Sequence, residues 1–219
     1  MTRAWMQTIS GRAVTMARPQ PSEIDVLTDM PEMLARIARY NGAVPGGIYS
    51  VAQHCALMAD VALDETGDAD LAAAALLHDG HEYLLGDVTT PQVDGLDEIA
   101  RDLFAPLFED IGLPAGGLVS ATIGEAKRRA DAAIFRACGL PQPSESVRRA
   151  VKALDLRMLA TEKRQLLAVP PRRWAAAVEN AAPVRLRGGL SIWSTARAAD
   201  EFRRRLVELC PAVAGRASR

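Results

Sequence analysis

The sequence predicts an all-α fold, and three observations carry that prediction. Ala, Leu, Arg and Glu, all strong helix formers, are common, and Ala most of all. Aromatic residues are only 5% of the chain. Glycines and prolines punctuate segments whose apolar residues recur at helical spacing. With 219 residues, 49% of them hydrophobic, the chain suits one domain with a modest extension. About seven helices joined by short connections would make a single bundle.

Taken in order, residues 1–28 read as a polar N-terminal extension. Within it WMQTISGRAVTM suggests a hairpin turning at Ser10-Gly11, and Pro19 and Pro21 then break structure. A helix is expected over Pro31–Tyr40, followed by the turn-rich linker NGAVPGG. Ser50 with Gln53 three residues on is a capping-box pattern, opening a helix to about Glu65 that Gly67 ends. The next helix is expected from Asp70 to Leu85, stopped by Gly86, and DVTTPQVDG reads as a loop.

Helices over Leu96–Ile111 and Leu118–Cys138 follow, separated by Gly112-Leu113-Pro114. Gly139, Pro141 and Pro143 form a break, and Ser144 or Ser146 caps a helix over Glu145–Leu167. Residues 29–168 thus form the main helical domain. Residues 169–210 add helices packed on it, over Arg172–Asn180 and Ser194–Leu209. The segment 211–219 reads as a disordered tail.

Composition narrows the function classes. A net charge of −1 gives no basic field for a nucleic-acid polymer. No apolar stretch reaches the roughly 18 residues that a membrane span needs. The N-terminus lacks the apolar run of a signal peptide, so a cytoplasmic protein is expected. Cys55, Cys138 and Cys210 are widely spaced and odd in number, which reads as buried thiols rather than a disulfide framework.

The chemistry concentrates in one stretch. All three histidines, His54, His78 and His81, fall between residues 54 and 81. His54 sits inside the apolar stripe Val51, Cys55, Met58, Val61, where an imidazole needs a partner. Taken alone it reads as a core histidine bonded to a backbone carbonyl. Asp155 follows Val151 by four on the inner face of its helix. Taken alone it reads as the partner of Arg129 or Arg149. LLHDGHEYLLGD is different, because AAAALL leads directly into His78, Asp79, Glu82 and Asp87. Charged groups on a buried lead-in need pairing. The two imidazoles and two carboxylates of His54, His78, Asp79 and Asp155 would come from three helices. Mixed nitrogen and oxygen donors suit Mn, Fe, Co, Ni or Zn better than Mg or Ca, with Mg kept as a further candidate. HExxH, GxSxG and the P-loop pattern are absent.

The order H…HD…D, in the contexts SVAQH, LLHDGHEYLLGDVTTP and VKALD, resembles the HD-domain phosphohydrolases. Within that superfamily it is similar to the branch of bacterial 5′-deoxynucleotidases and phage-associated nucleotide hydrolases, over about Pro31 to Leu167. The resemblance implies His54, His78, Asp79 and Asp155 as ligands of one divalent transition metal. It implies Glu82 and Asp87 as the acidic residues that orient water or protonate the leaving oxygen. Arg39 would contact phosphate, and Tyr40 would pack on sugar or base. Apart from the resemblance, Arg157 and Lys152 are weaker candidates for neutralising the phosphate, and Lys152, three residues before Asp155, could reach the same pocket. His81 stands where relatives often carry a small residue, and Thr89 lies in a loop where they vary; both are expected to contact substrate.

The expected activity is hydrolysis of a nucleoside 5′-monophosphate. A triphosphohydrolase or pyrophosphohydrolase at the same site, or a non-catalytic ligand-binding module, are the alternatives. HDGHE in place of HDxxED argues against hydrolysis of the alarmone pyrophosphate. A small nucleotide is the expected partner, with no nucleic-acid polymer and no membrane. Related proteins are often dimers, which makes a homodimer the expectation.

Overall fold

A computed structural model describes residues 4–110, 116–186 and 188–217. Among the described residues it is a helical domain with one small hairpin, β1 (Trp5–Gln7) against β2 (Ala13–Thr15), antiparallel with Met6 opposite Val14. The turn is where Ser10-Gly11 predicts it, and Gly11 takes the positive φ of 86° that the turn requires. Among the described residues no helix is long and apolar enough to cross a membrane.

The helices are α1 (Asp29–Leu34), α2 (Val51–Thr66), α3 (Ala69–Leu77), α4 (Glu82–Leu85), α5 (Thr90–Asp110), α6 (Leu118–Ala137), α7 (Glu145–Leu166), α8 (Ala176–Glu179), α9 (Thr195–Leu209) and α10 (Pro211–Ala217). Helix α2 is the hub, packed against α3, α9 and α7. Its Ala52, Ala56, Ala59 and Ala62 are all buried, so small side chains let neighbouring helices approach closely. One apolar cluster joins the hairpin, α1, α2, α6 and α9; a second joins α2, α3, α7 and Val184.

Caps fix the starts of the long helices. Ser50, Ser144 and Ser194 each accept a hydrogen bond from the third residue onward, and Gly67 closes α2 in the left-handed conformation. The capping box at Ser50 is only half made. The amide of Gln53 instead donates to Ser191 O (2.7 Å) and accepts from Trp193 N (2.9 Å), pinning the approach to α9.

Several expectations are corrected. The helix over 31–40 stops at Leu34, because Ala38 pairs with Ser50 and Arg39 N donates to Tyr49 O. A short 3-10 turn, Arg39–Gly42, follows, with Tyr40 (φ 59°) and Asn41 (φ 51°) both left-handed. The helix over 70–85 is broken between Leu77 and Glu82. A Cβ at Gly80 would come within 3.0 Å of Leu77 O, so glycine lets the chain fold back on that carbonyl.

The loop expected around Pro91 and Gly95 is already helical, starting at Thr90, where Gln92 Oε1 accepts from Thr89 N (2.8 Å). Proline in a first turn and one mid-helix glycine are tolerated. The helix over 172–180 shrinks to α8, because Glu179 reaches back to Trp174 N (2.8 Å). The tail expected to be disordered forms α10, where Val213 is buried and Arg216 Nη2 donates to Ala137 O (2.5 Å). The expected break at Gly112-Leu113-Pro114 lies outside the described residues. All three cysteines are buried and unbridged.

Candidate metal centre and pocket

Helix α2 turns His54 inward from its apolar stripe, fully buried. His54 Nδ1 lies 2.5 Å from Glu162 Oε1, which leaves Nε2 facing inward. His78 closes α3 and donates Nδ1–H to Ala75 O (2.7 Å), so its Nε2 is likewise the free nitrogen. Asp79 follows in the break. Adjacent residues on a continuous helix diverge by about 100°. Because α3 ends there, Asp79 Oδ2 comes to 3.2 Å from His78 Nε2. Helix α7 contributes Asp155, whose Oδ1 is 3.6 Å from His54 Nε2.

Two further distances link His54 to the His78-Asp79 pair. His54 Nε2 is 3.4 Å from His78 Nε2 and 3.9 Å from Asp79 Oδ2. Ligands bound at about 2.0–2.2 Å to one cation stand roughly 3.0–3.6 Å from their neighbours. The donor set and its spacing therefore fit a divalent ion. His54, His78 and Asp155 can hold one as a group, and Cys55, His78 and Asp79 are similarly close. The buried thiol of Cys55 is pushed up in pKa by its burial, which disfavours the thiolate that a metal needs.

The plain readings of His54 and Asp155 do not hold. His54 meets a carboxylate, not a backbone carbonyl. Arg129 pairs with Glu125 and Arg149 with Glu145, whereas Asp155 faces His54 and accepts from Lys152 Nζ (3.0 Å).

Sequence reasoning missed Glu162. It is fully buried on α7, two turns beyond Asp155 and so on the same face. Besides His54 it accepts from Tyr49 Oη (2.8 Å) and from Tyr40 Oη. Arg39 Nε stands 3.5 Å away. Burial alone would raise its pKa; the His54 and Arg39 charges outweigh that and hold it below the ordinary value. A carboxylate on the far nitrogen of a ligand histidine fixes its tautomer and raises its basicity.

Electrostatics separate the acidic groups into two kinds. Burial opposes ionisation of Asp79 and Asp155, yet His78 and Arg39 hold Asp79 well below the carboxylate range, and His54 does the same for Asp155. Burial also opposes a charged His78, but Asp79 overrides it and raises the imidazole well above its usual value. Glu82 goes the other way. Burial, then the charges of Asp79 and Asp87, push it to about 9. Burial also raises Asp87.

A pocket of about 840 Å³ opens over Asp79 and Asp155. Arg39, Tyr40, Glu82, Asp87, Thr89 and Lys152 all line it, as the sequence suggested. Arg39 is turned onto Asp79 Oδ2 (3.0 Å), and the Tyr40 ring stands 6.2 Å from Trp174. Lys127 and Trp174 also line the pocket and were not anticipated. Lys127 sits on the inner face of α6 amid other charged residues, which gave no signal.

Two assignments are corrected. His81 does not line the pocket; it is buried beside it, with Nδ1 2.9 Å from Asp131 Oδ1. Arg157 makes a two-pronged pair with Glu65 (2.7 and 2.8 Å) and is absent from the lining.

No known family model matches this sequence. An uncharacterized protein of Rhodobacter capsulatus is 38% identical over 138 residues, an alignment covering 60% of this chain and 69% of that protein. The chain belongs to one family with that Rhodobacter protein.

Proposed function

We propose that the protein is a metal-dependent phosphohydrolase of the HD type that cleaves phosphate esters of nucleotides, with nucleoside 5′-monophosphates as the leading substrates. One observation carries the reading: two imidazole Nε2 atoms and two carboxylates converge at metal-ligand spacing beneath a pocket that holds cationic and aromatic groups. A pocket of about 840 Å³ lies within the usual range for small-molecule sites.

A divalent cation held by His54, His78, Asp79 and Asp155 would supply Lewis acidity toward a phosphate oxygen and toward water. The remaining work falls to the chain. Arg39 and Lys152 place positive charge where a phosphate enters. Tyr40 and Trp174 offer apolar faces for a sugar or base. Glu82 and Asp87, both raised in pKa, can carry a proton to the leaving oxygen near neutral pH. Glu162 takes no part in bond cleavage; it aims His54.

Lys127 favours a second reading. Together with Arg39 and Lys152 it makes three cations in one pocket, enough to suit a longer phosphate chain. The test is a panel of nucleoside mono-, di- and triphosphates assayed with Mn, Co, Mg and Zn after chelation. Metal-restored release of inorganic phosphate from monophosphates is the expected result. Release of triphosphate or pyrophosphate supports the second reading, and no hydrolysis with any metal defeats both.

A further inference from the structure

His81 repeats the arrangement seen at His54. Its Nδ1 is engaged by a carboxylate, Asp131 Oδ1 at 2.9 Å, and its side chain is 6% exposed. Its Nε2 is buried and has no hydrogen-bond partner. Glu82 Oε2, next in sequence, is in the same condition. An unpaired buried polar atom is costly, so two such atoms side by side need an explanation. One ligand atom each from Asp79, His81 and Glu82 lies within 4.8 Å of the others.

We infer that Asp79, His81 and Glu82 form a second divalent-cation position, with Asp79 shared between it and the first. One imidazole and two carboxylates make a harder donor set than the first position, suited to Mn²⁺ or Mg²⁺ with water completing the shell. Asp131 has the part that Glu162 has at His54: it fixes the tautomer that leaves Nε2 free to bind. Two cations bridged by one carboxylate stand about 3.5–4 Å apart, a spacing that lets both act on one phosphate. Asp87 then remains as the proton carrier among the pocket acids.

The inference deepens the phosphohydrolase reading and rests on it for its purpose, since the two positions share Asp79. Chelated protein is dialysed against Mn²⁺ and the bound metal counted, with electron paramagnetic resonance recorded on the same samples. The wild type is expected to hold two ions per chain with a spin-coupled spectrum. His81→Gln, which can still donate to Asp131, should hold one, uncoupled. Glu82→Gln should lose the same ion and guards against a folding defect in the first variant. Asp155→Asn reports on the first position alone. One ion in the wild type, unchanged by His81→Gln and Glu82→Gln but lost with Asp155→Asn, overturns the second position and leaves the first standing. No ion in the wild type brings down both.

Discussion

Asp29 and Glu162 are both fully buried carboxylates, and they are buried for different ends. Asp29, at the start of α1, accepts from Thr8 Oγ1 (2.7 Å), Ser10 N (3.0 Å) and Ser10 Oγ (2.9 Å). Its donors are hydroxyls and an amide of the hairpin turn, and the further bonds of Thr8 stay within the hairpin. Asp29 staples the hairpin to the helical body. The partners of Glu162 are His54, Tyr40, Tyr49 and Arg39, three of which reach the pocket or the His/Asp cluster. Burial is the same in both cases. What tells structure from function is what the hydrogen-bonding partners do with their other ends.

The comparison can be broken at either carboxylate or at the centre. Asp79→Ala has the largest expected effect. Metal content falls to background and nucleotide hydrolysis by more than about a thousandfold, because a shared ligand is gone. Metal analysis beside a rate assay checks it, and full activity in the metal-free variant would defeat the chemistry. Asp29→Ala should cost about 2–3 kcal/mol of stability, since charged hydrogen bonds are lost and three donors are stranded. Denaturant unfolding reads that loss, while metal affinity of the folded protein stays at the wild-type level. Glu162→Gln is the mirror case. Metal affinity should drop about 10–100-fold as His54 loses its anionic partner, measured by competition with a chelator. If Asp29→Ala weakens metal binding as much as Glu162→Gln does, the distinction between them is wrong.

Glu82 supplies a smaller effect with a definite sign. In metal-free protein its pKa is about 9, against an ordinary 4.5. Between those values the folded chain keeps a proton that the unfolded chain has released, so stability falls as pH rises through the window. Glu82→Gln should flatten that fall, raising the melting temperature at pH 8.5 by several degrees with little change at pH 4.5. An unchanged slope would show that the carboxyl is already ionised. Lys152→Ala is expected to be mildest. Its ammonium is mostly exposed, so KM for a nucleotide should rise a few-fold and the metal content hold.

How far the sequence reaches follows from how local each signal is. The grouping of His54, His78, Asp79 and Asp155 came from their H…HD…D order, since His54 and Asp155 taken singly read as a core histidine and an arginine partner. The starts of α2, α7 and α9 were legible because a serine caps each of them. Glu162 was not, since ATEKRQ around it reads as a solvated surface, and its partners lie more than 100 residues away. The end of α1 was missed for a similar reason. Pairing of Ala38 with Ser50 pulls the chain out of a helix that local propensity favours. The break after Leu77 was hidden because HDGHE can continue a helix, and only the return of Gly80 onto Leu77 O marks where it stops.

The left-handed pair Tyr40-Asn41 has a practical consequence for anyone wishing to harden this protein. Each non-glycine residue in that conformation costs about 1–2 kcal/mol. At Asn41 glycine would relieve the strain at the loss of one carboxamide from the pocket wall, with no ring given up. At Tyr40 the same exchange would remove the phenol that donates to Glu162 and the ring that faces Trp174. Adjacent positions with nearly the same backbone thus divide into one open to engineering and one closed to it.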